Sequence, residues 1–186
     1  MAAYVERSRR GPCFVCAFLA GDPDFPHDLL YDDGQWVAFM DRYPTMPGRV
    51  LVAPREHLEH VVRDVDRNAY LSMQDVIYRV AQAVEAAVPS ERTYLLSLGS
   101  QQGNNHLHWI IAPLPPGTPY EDQQFAALMA SNGVVCLPPT ENAAIAARIR
   151  GYLSRSSGAT GNASSGEWGE WGDPRHKAMS VRRPLR

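Results

Sequence analysis

His106-Leu107-His108-Trp109-Ile110-Ile111-Ala112 sets two imidazoles two residues apart at the head of an apolar run. Side chains two apart on a strand project from the same face. The run therefore predicts a buried strand that shows both rings on one side. The chain enters it through Gly99-Ser100-Gln101-Gln102-Gly103-Asn104-Asn105, a glycine-containing loop rich in carboxamides. Backbone amides and carboxamides beside two imidazoles suit an anion and proton traffic near neutral pH.

Upstream of this strand, Leu29-Leu30-Tyr31 and Trp36-Val37-Ala38-Phe39-Met40 flank the turn residues Asp32-Asp33-Gly34-Gln35 and predict a hairpin. A second turn, Pro44-Thr45-Met46-Pro47-Gly48, leads to the strand Val50-Leu51-Val52-Ala53, which Pro54 ends. Apolar residues from Ala69 to Val88 recur near i, i+3, i+4 and i+7 and predict one long helix, with Asp66 as N-cap and Pro89 as its stop. Tyr94–Leu98 and His106–Pro113 predict two more strands, and Glu121–Ser131 and Glu141–Leu153 predict helices beside the sheet. The fold class is α+β: a mainly antiparallel sheet, one long helix and C-terminal helices. Residues 1–12 read as a flexible N-terminus and 13–153 as one folded domain. From Ser154 the composition turns to Ser, Gly, Ala, Thr and Asn, which cannot bury enough apolar surface to offset ordering entropy. Residues 154–186 therefore read as a disordered tail with a basic end (Arg175, Lys177, Arg182, Arg183, Arg186). Trp168 and Trp171 leave a short docking motif open as an alternative to a solvated terminus.

At 186 residues and 45% hydrophobic content, the chain can bury one good core. A formal net charge of −2 gives no global attraction to nucleic acid or an acidic membrane. No stretch approaches the roughly 20 apolar residues of a membrane helix, and the first ten residues lack the apolar core of a secretion signal. Three cysteines make no disulfide framework. The expectation is a soluble, cytoplasmic protein.

Chemistry concentrates at three places. Cys13-Phe14-Val15-Cys16 can hold one zinc ion given two further ligands, for which His57 and His106 are candidates and His60 competes with His57. Two small buried hydrophobes or a redox dithiol are the other readings of this pair. His108 is either a satisfied core histidine or, beside Gln101, Gln102, Gly103 and Asn104, an imidazole able to attack phosphorus. Asp41, after the strand Trp36–Met40, is either a solvated turn acid or the acceptor for two ribose hydroxyls. Cys136 reads as an isolated, buried small residue.

The collinear set Cys13-x-x-Cys16, Trp36-Val-Ala-Phe-Met-Asp41, Pro44-x-x-Pro47-Gly48-x-Val-Leu-Val-Ala-Pro54-x-x-His57 and His106-x-His108 resembles the histidine-triad (HIT) superfamily of nucleotide hydrolases and transferases. It spans about residues 13–115. The Cys-x-x-Cys with His57 is similar to the zinc-containing branch, which includes galactose-1-phosphate uridylyltransferase and bacterial HIT-family nucleotide hydrolases. The resemblance implies a structural zinc on Cys13, Cys16, His57 and His106, with His108 as nucleophile and Asp41 as the ribose-binding acid. It also implies a covalent nucleotidyl-histidine intermediate formed at an α-phosphate, a small-molecule nucleotide substrate, and a homodimer built around a continuous sheet. One position departs from the family pattern. The third histidine, which helps hold phosphate and assists the leaving group, is Ile110 here. The uridylyltransferase branch has glutamine there, so Ile110 matches neither. The outcomes are a slower enzyme, compensation by a group such as Gln101 or Gln102, or a zinc-stabilised nucleotide-binding protein with weak or no turnover.

Overall fold

The computed structural model describes Glu6 and residues 11–99 and 104–157. Gln101, Gln102 and Gly103 of the expected phosphate loop lie outside the described residues, as do most of the expected flexible start and of the expected tail. In chain order the elements are α1 (Phe14–Leu19), β1 (Leu29–Asp32), β2 (Trp36–Met40), β3 (Val50–Pro54), α2 (Arg67–Ala87), β4 (Arg92–Leu96), β5 (Trp109–Leu114), α3 (Phe125–Leu128) and α4 (Pro139–Ser157). The five strands form one antiparallel sheet in the order β1-β2-β3-β5-β4, as the α+β expectation requires. Among the described residues no helix is long and apolar enough to cross a membrane.

Local chemistry explains the joints. The Asp33 carboxylate accepts the N–H groups of Gln35 and Trp36 at 2.9 and 2.7 Å, and Asp32 accepts that of Gly34 at 3.0 Å. These bonds close the β1–β2 hairpin through an Asx-type turn. Asp66 accepts the N–H groups of Asn68 and Ala69 at 2.7 and 3.0 Å, a cap that contributes about 1 kcal/mol to α2.

Every residue of β2, β3 and β5 is buried, because the sheet is covered on both faces. Trp36, Ala38, Met40, Val50, Val52, Trp109 and Ile111 pack under α2 and α4. Val37, Phe39, Leu51, Ala53, Ile110 and Ala112 face the other way, toward α1 and α3. The period of two thus separates a structural face from a second face, and the histidines of the opening motif belong to the second.

Several sequence expectations shift. β4 lies at Arg92–Leu96 rather than Tyr94–Leu98, and α4 continues to Ser157, four residues into the expected disordered tail. The β5 ladder begins at Trp109, not His106, because the Leu107 N–H bonds to the Leu58 carbonyl at 2.6 Å rather than to a strand partner. The phase is nonetheless kept, since Leu107, Trp109 and Ile111 all join the α2 side. The expected helix over 121–131 is instead the short α3 between two 3-10 turns, Tyr120–Asp122 and Ala130–Asn132. Gln124, at φ 54°, breaks any continuous helix there. The six-residue α1 was not expected at all.

Gly48 holds the β2–β3 turn close to α2. Its φ is +78°, and a Cβ there would lie 2.9 Å from Val88 Cγ2. Gly48→Ala is expected to cost about 1–3 kcal/mol in urea denaturation. A double-mutant cycle with Val88→Ala should return part of the loss, since the clash goes and the backbone strain stays. Purely additive losses would show that no such clash exists.

Candidate functional site

The first turn of α1 carries both thiols. Cys13 is its N-cap, the sulfur accepting the Cys16 N–H at 3.4 Å. Alone, a six-residue helix is too short to persist in water. Val15 and Ala17 bury it on the sheet, with Phe14 and Phe18 packed alongside. This brings Cys13 Sγ to 3.3 Å from His106 Nδ1, and Cys16 Sγ to 3.3 Å from His57 Nδ1 and 3.6 Å from His106 Nδ1. The four ligand atoms all lie within 4.8 Å of one another. A tetrahedral zinc site with two sulfurs and two nitrogens places its donors about 3.3–3.8 Å apart. The expected set is therefore assembled as a cluster that can hold a metal, and His60 is outside it.

The outer nitrogens of both histidines are anchored. His106 Nε2 donates to the Pro54 carbonyl at 2.9 Å. A carbonyl only accepts, so the proton sits on Nε2 and the Nδ1 lone pair faces the sulfurs. His57 Nε2 meets the Glu59 carboxylate at 3.2 Å, and the same carboxylate oxygen accepts from Asn105 Nδ2. Ligating histidines are characteristically oriented by such a carbonyl or carboxylate. Burial, with weaker repulsion from His57 and His108, pushes His106 down to about 4 against the opposing pull of the Pro54 bond. Burial and the adjacent Cys13 push the Cys16 thiol up to about 11. A divalent cation among the four donors reverses that balance by deprotonating the thiols.

His108 is 5% exposed. Its Nδ1 donates to the His106 carbonyl at 2.7 Å, which leaves the lone pair on Nε2. The Phe14 ring stands edge-on at 5.6 Å, and Ser97 Oγ donates to the His108 carbonyl at 2.7 Å. Burial depresses the pKa of His108, outweighing the His106 bond and the charge of Asp41. A neutral imidazole with a free Nε2 lone pair is a competent nucleophile.

Asp41 continues the second face beyond Phe39, and its N–H bonds to the Arg49 carbonyl at 3.0 Å in the β2–β3 register. Its Oδ1 accepts the Tyr43 N–H at 2.9 Å, while Oδ2 lies 3.0 Å from Arg49 Nε. Asn104 is half-buried in the turn leading to His106. Ile110 is 6% exposed, aligned between Leu51 and Leu96. Cys136 is exposed rather than buried, because the loop before α4 runs along the surface. There it lines a cavity of about 490 Å³ with His27, Asp41, Arg42 and Tyr43.

Sequence reading missed three participants. Arg49 is buried beside Asp41, and its signal was phase: it precedes Leu51 and Ala53 by steps of two. Glu59 braces His57, a role that depends on a loop conformation no spacing reveals. His27 donates from Nδ1 to the Met40 carbonyl at 3.2 Å and packs against Phe14, Phe18 and Phe39.

The HIT domain model matches residues 22–114, half of the chain. The chain belongs to the HIT family. An adenosine 5'-monophosphoramidase of Schizosaccharomyces pombe is 30% identical over 105 residues, covering 55% of this chain and 74% of that protein. A HIT-like protein of Mycobacterium tuberculosis is 29% identical, covering 56% and 72%. Among solved structures, a histidine triad nucleotide-binding protein of Sulfolobus tokodaii superposes with a TM-score of 0.64 at 22% identity, covering 83% of this chain and all of that one. A zinc-bound histidine triad family protein of Mycobacterium smegmatis gives 0.60 at 21%, covering 79% and 96%. At these identities the two structures speak for the HIT fold alone.

The buried imidazoles carry a pH consequence. The pKa values of His27, His106 and His108 are all depressed, so below pH 6.5 the unfolded chain binds more protons than the folded one. Stability of the metal-free protein should fall as pH drops from 6.5 toward 4. Each unit of depression contributes about 1.4 kcal/mol. Urea midpoints at pH 7.5, 6 and 5 read this directly, and a flat profile would contradict neutral, buried rings.

Proposed function

We propose that this HIT protein is a nucleotidyl hydrolase or transferase acting through His108. The carrying observation is the His108 ring: buried, its Nδ1 proton locked on a carbonyl, its Nε2 lone pair unclaimed by that bond. Nε2 attacks the α-phosphorus of a nucleotide conjugate or dinucleoside polyphosphate in line. The bond from phosphorus to the leaving group breaks, giving a nucleotidyl-histidine. Water then adds to phosphorus, loses a proton, and releases the mononucleotide with His108 restored. Asp41 receives the ribose hydroxyls, and the loop residues Gln101, Gln102, Gly103 and Asn104 receive phosphate oxygens. The working unit is residues 13–153 together with the last turn of α4 to Ser157, with the chain after it a separate tail.

Zinc, when bound, supplies a structural clamp. Two thiolates and two imidazoles leave no open position for water or substrate. Cys13, Cys16, His57 and His106 would hold it, tying α1 and the Pro54–Glu59 segment to the approach of β5. Free thiols in this role fit a cytoplasmic setting. We also propose a homodimer through the outer edge of β4, where Leu95 is 52% exposed and Leu98 53%. An edge strand flanked by exposed apolar residues is a template for pairing with a second copy.

Ile110 supports a second reading, a zinc-stabilised nucleotide-binding protein with weak turnover. Losing one charge-assisted contact of roughly 1.5–3 kcal/mol slows a reaction by about one to two decades. Lack of a proton donor there also favours leaving groups that depart as stable anions, such as a nucleoside polyphosphate, over amines.

On diadenosine polyphosphates and adenosine phosphoramidate, His108→Ala should cut turnover roughly a thousand-fold or more. Equal rates for wild type and mutant on every substrate end the catalytic reading. Ile110→His should raise the rate by about 10- to 100-fold if the contact alone is missing; no gain favours compensation or different chemistry.

Purified protein should carry one zinc per chain, lost in Cys13→Ser. Glu59→Gln should keep the stoichiometry but weaken affinity about 10- to 100-fold in chelator competition. Zinc-free wild type, carefully prepared, would remove the clamp from the proposal.

A further inference from the structure

Arg49 is the only arginine or lysine buried among the described residues, at 9% exposure. A guanidinium in such a place costs several kcal/mol unless charge and hydrogen bonds compensate it. Its partners are drawn from three segments. Nε lies 3.0 Å from Asp41 Oδ2, and Nη1 donates to Thr45 Oγ1 at 2.9 Å and to the Leu128 carbonyl at 3.4 Å. The Nε contact is close enough for an ion pair but misaligned for a good hydrogen bond. Arg49 thus fastens the end of β2, the β2–β3 turn and α3 around one carboxylate.

That carboxylate is held from two sides. Oδ1 accepts the Tyr43 N–H, and Oδ2 faces Arg49. A carboxylate offers about four acceptor positions. One is filled by the Tyr43 N–H and one is covered by the Arg49 charge, and the two contacts, one on each oxygen, hold the group in place. The remaining pair suits two adjacent hydroxyls, one on each oxygen. Asp41 also lines the 490 Å³ cavity beside His27, a space that a ligand can enter.

We propose that Arg49 is the positioning residue for ribose recognition: by holding the Asp41 carboxylate in place it makes the chain prefer nucleotides with a vicinal 2',3'-diol. This rests on the reading of Asp41 as the ribose acid. Arg49 itself touches no reacting atom, and its effect falls on binding of the sugar.

The test is calorimetric titration of the full-length protein with AMP and with 2',3'-dideoxy-AMP, which needs no turnover. Wild type is expected to prefer AMP by about ten-fold or more. Arg49→Met should weaken AMP alone and bring the two ligands to within about two-fold, while Arg49→Lys, which keeps the charge, retains part of the preference. Equal loss of both ligands in Arg49→Met would mark a merely structural role and overturn the proposal. So would a preference that survives intact, or a wild type with none. If wild type binds neither nucleotide, the nucleotide reading itself fails, which is a separate result.

Discussion

A backbone carbonyl can accept a hydrogen bond and cannot donate one, and this asymmetry organises the whole second face of the sheet. Pro54 presents its carbonyl to His106 Nε2, and His106 presents its own to His108 Nδ1. The two rings are two residues apart on the same face, yet they are protonated on opposite nitrogens. One is left with a lone pair on Nδ1, aimed at two sulfurs. The other keeps its lone pair on Nε2, away from them. Nothing in the imidazoles themselves distinguishes these jobs. The carbonyls do, and they are set by where β3 ends and where the ladder of β5 begins.

The same constraint ties the cluster of Cys13, Cys16, His57 and His106 to the rest of the fold. His106 cannot move without losing Pro54, the last residue of β3. Its neighbour Leu107 is bonded to Leu58, and Asn105 shares Glu59 with His57. The segment from Pro54 to Glu59 is therefore laced to residues 105–107 by backbone and side chain before any metal is considered. The helix α1 depends on this arrangement from the other side. It is too short to stand alone, and it is held by Val15 and Ala17 in the core and by its thiols against the two imidazoles. Removing either support leaves Phe14, which packs edge-on to His108, without a fixed place.

Much of this was legible because apolar runs bounded by turn residues and a long helical period are strong local signals. β2 and β3 appear where such runs put them and α2 where the 3.6-residue repeat does, and Asp66 caps α2 as its position before the apolar run suggests. Short helices write almost nothing. Six residues hold α1 through tertiary packing, so no local preference announces it, and α3 is four residues bounded by turns. The ligand set Cys13, Cys16, His57 and His106 could be named from spacing and resemblance, but not which nitrogen each ring would turn inward. That depends on carbonyl and carboxylate positions 2 to 52 residues away. Arg49 was hidden for a different reason. A charged residue after Pro-Gly reads as the end of a turn, and only its phase with Leu51 and Ala53 reveals that it points into the site face.

The register also shows what Ile110 changes and what it leaves alone. Residues on the second face fall into cross-strand rows. Phe39, Leu51, Ile110 and Leu96 form one. Extending the paired register by two residues puts His108 beside Ala53 in the row before it, and Asp41, Arg49 and Ala112 in the row after. Polar chemistry therefore occupies the two ends, with an apolar strip between them. In the proposed reading a nucleotide spans that strip, with its α-phosphorus at His108 and its sugar at Asp41. A histidine in the middle row could reach the phosphate from below; isoleucine cannot. In that reading, contacts to phosphate oxygens fall to residues outside the middle row. The loss is local, however. The tautomer of His108 rests on the His106 carbonyl and the tether of Asp41 on Arg49, and neither bond passes through the middle row.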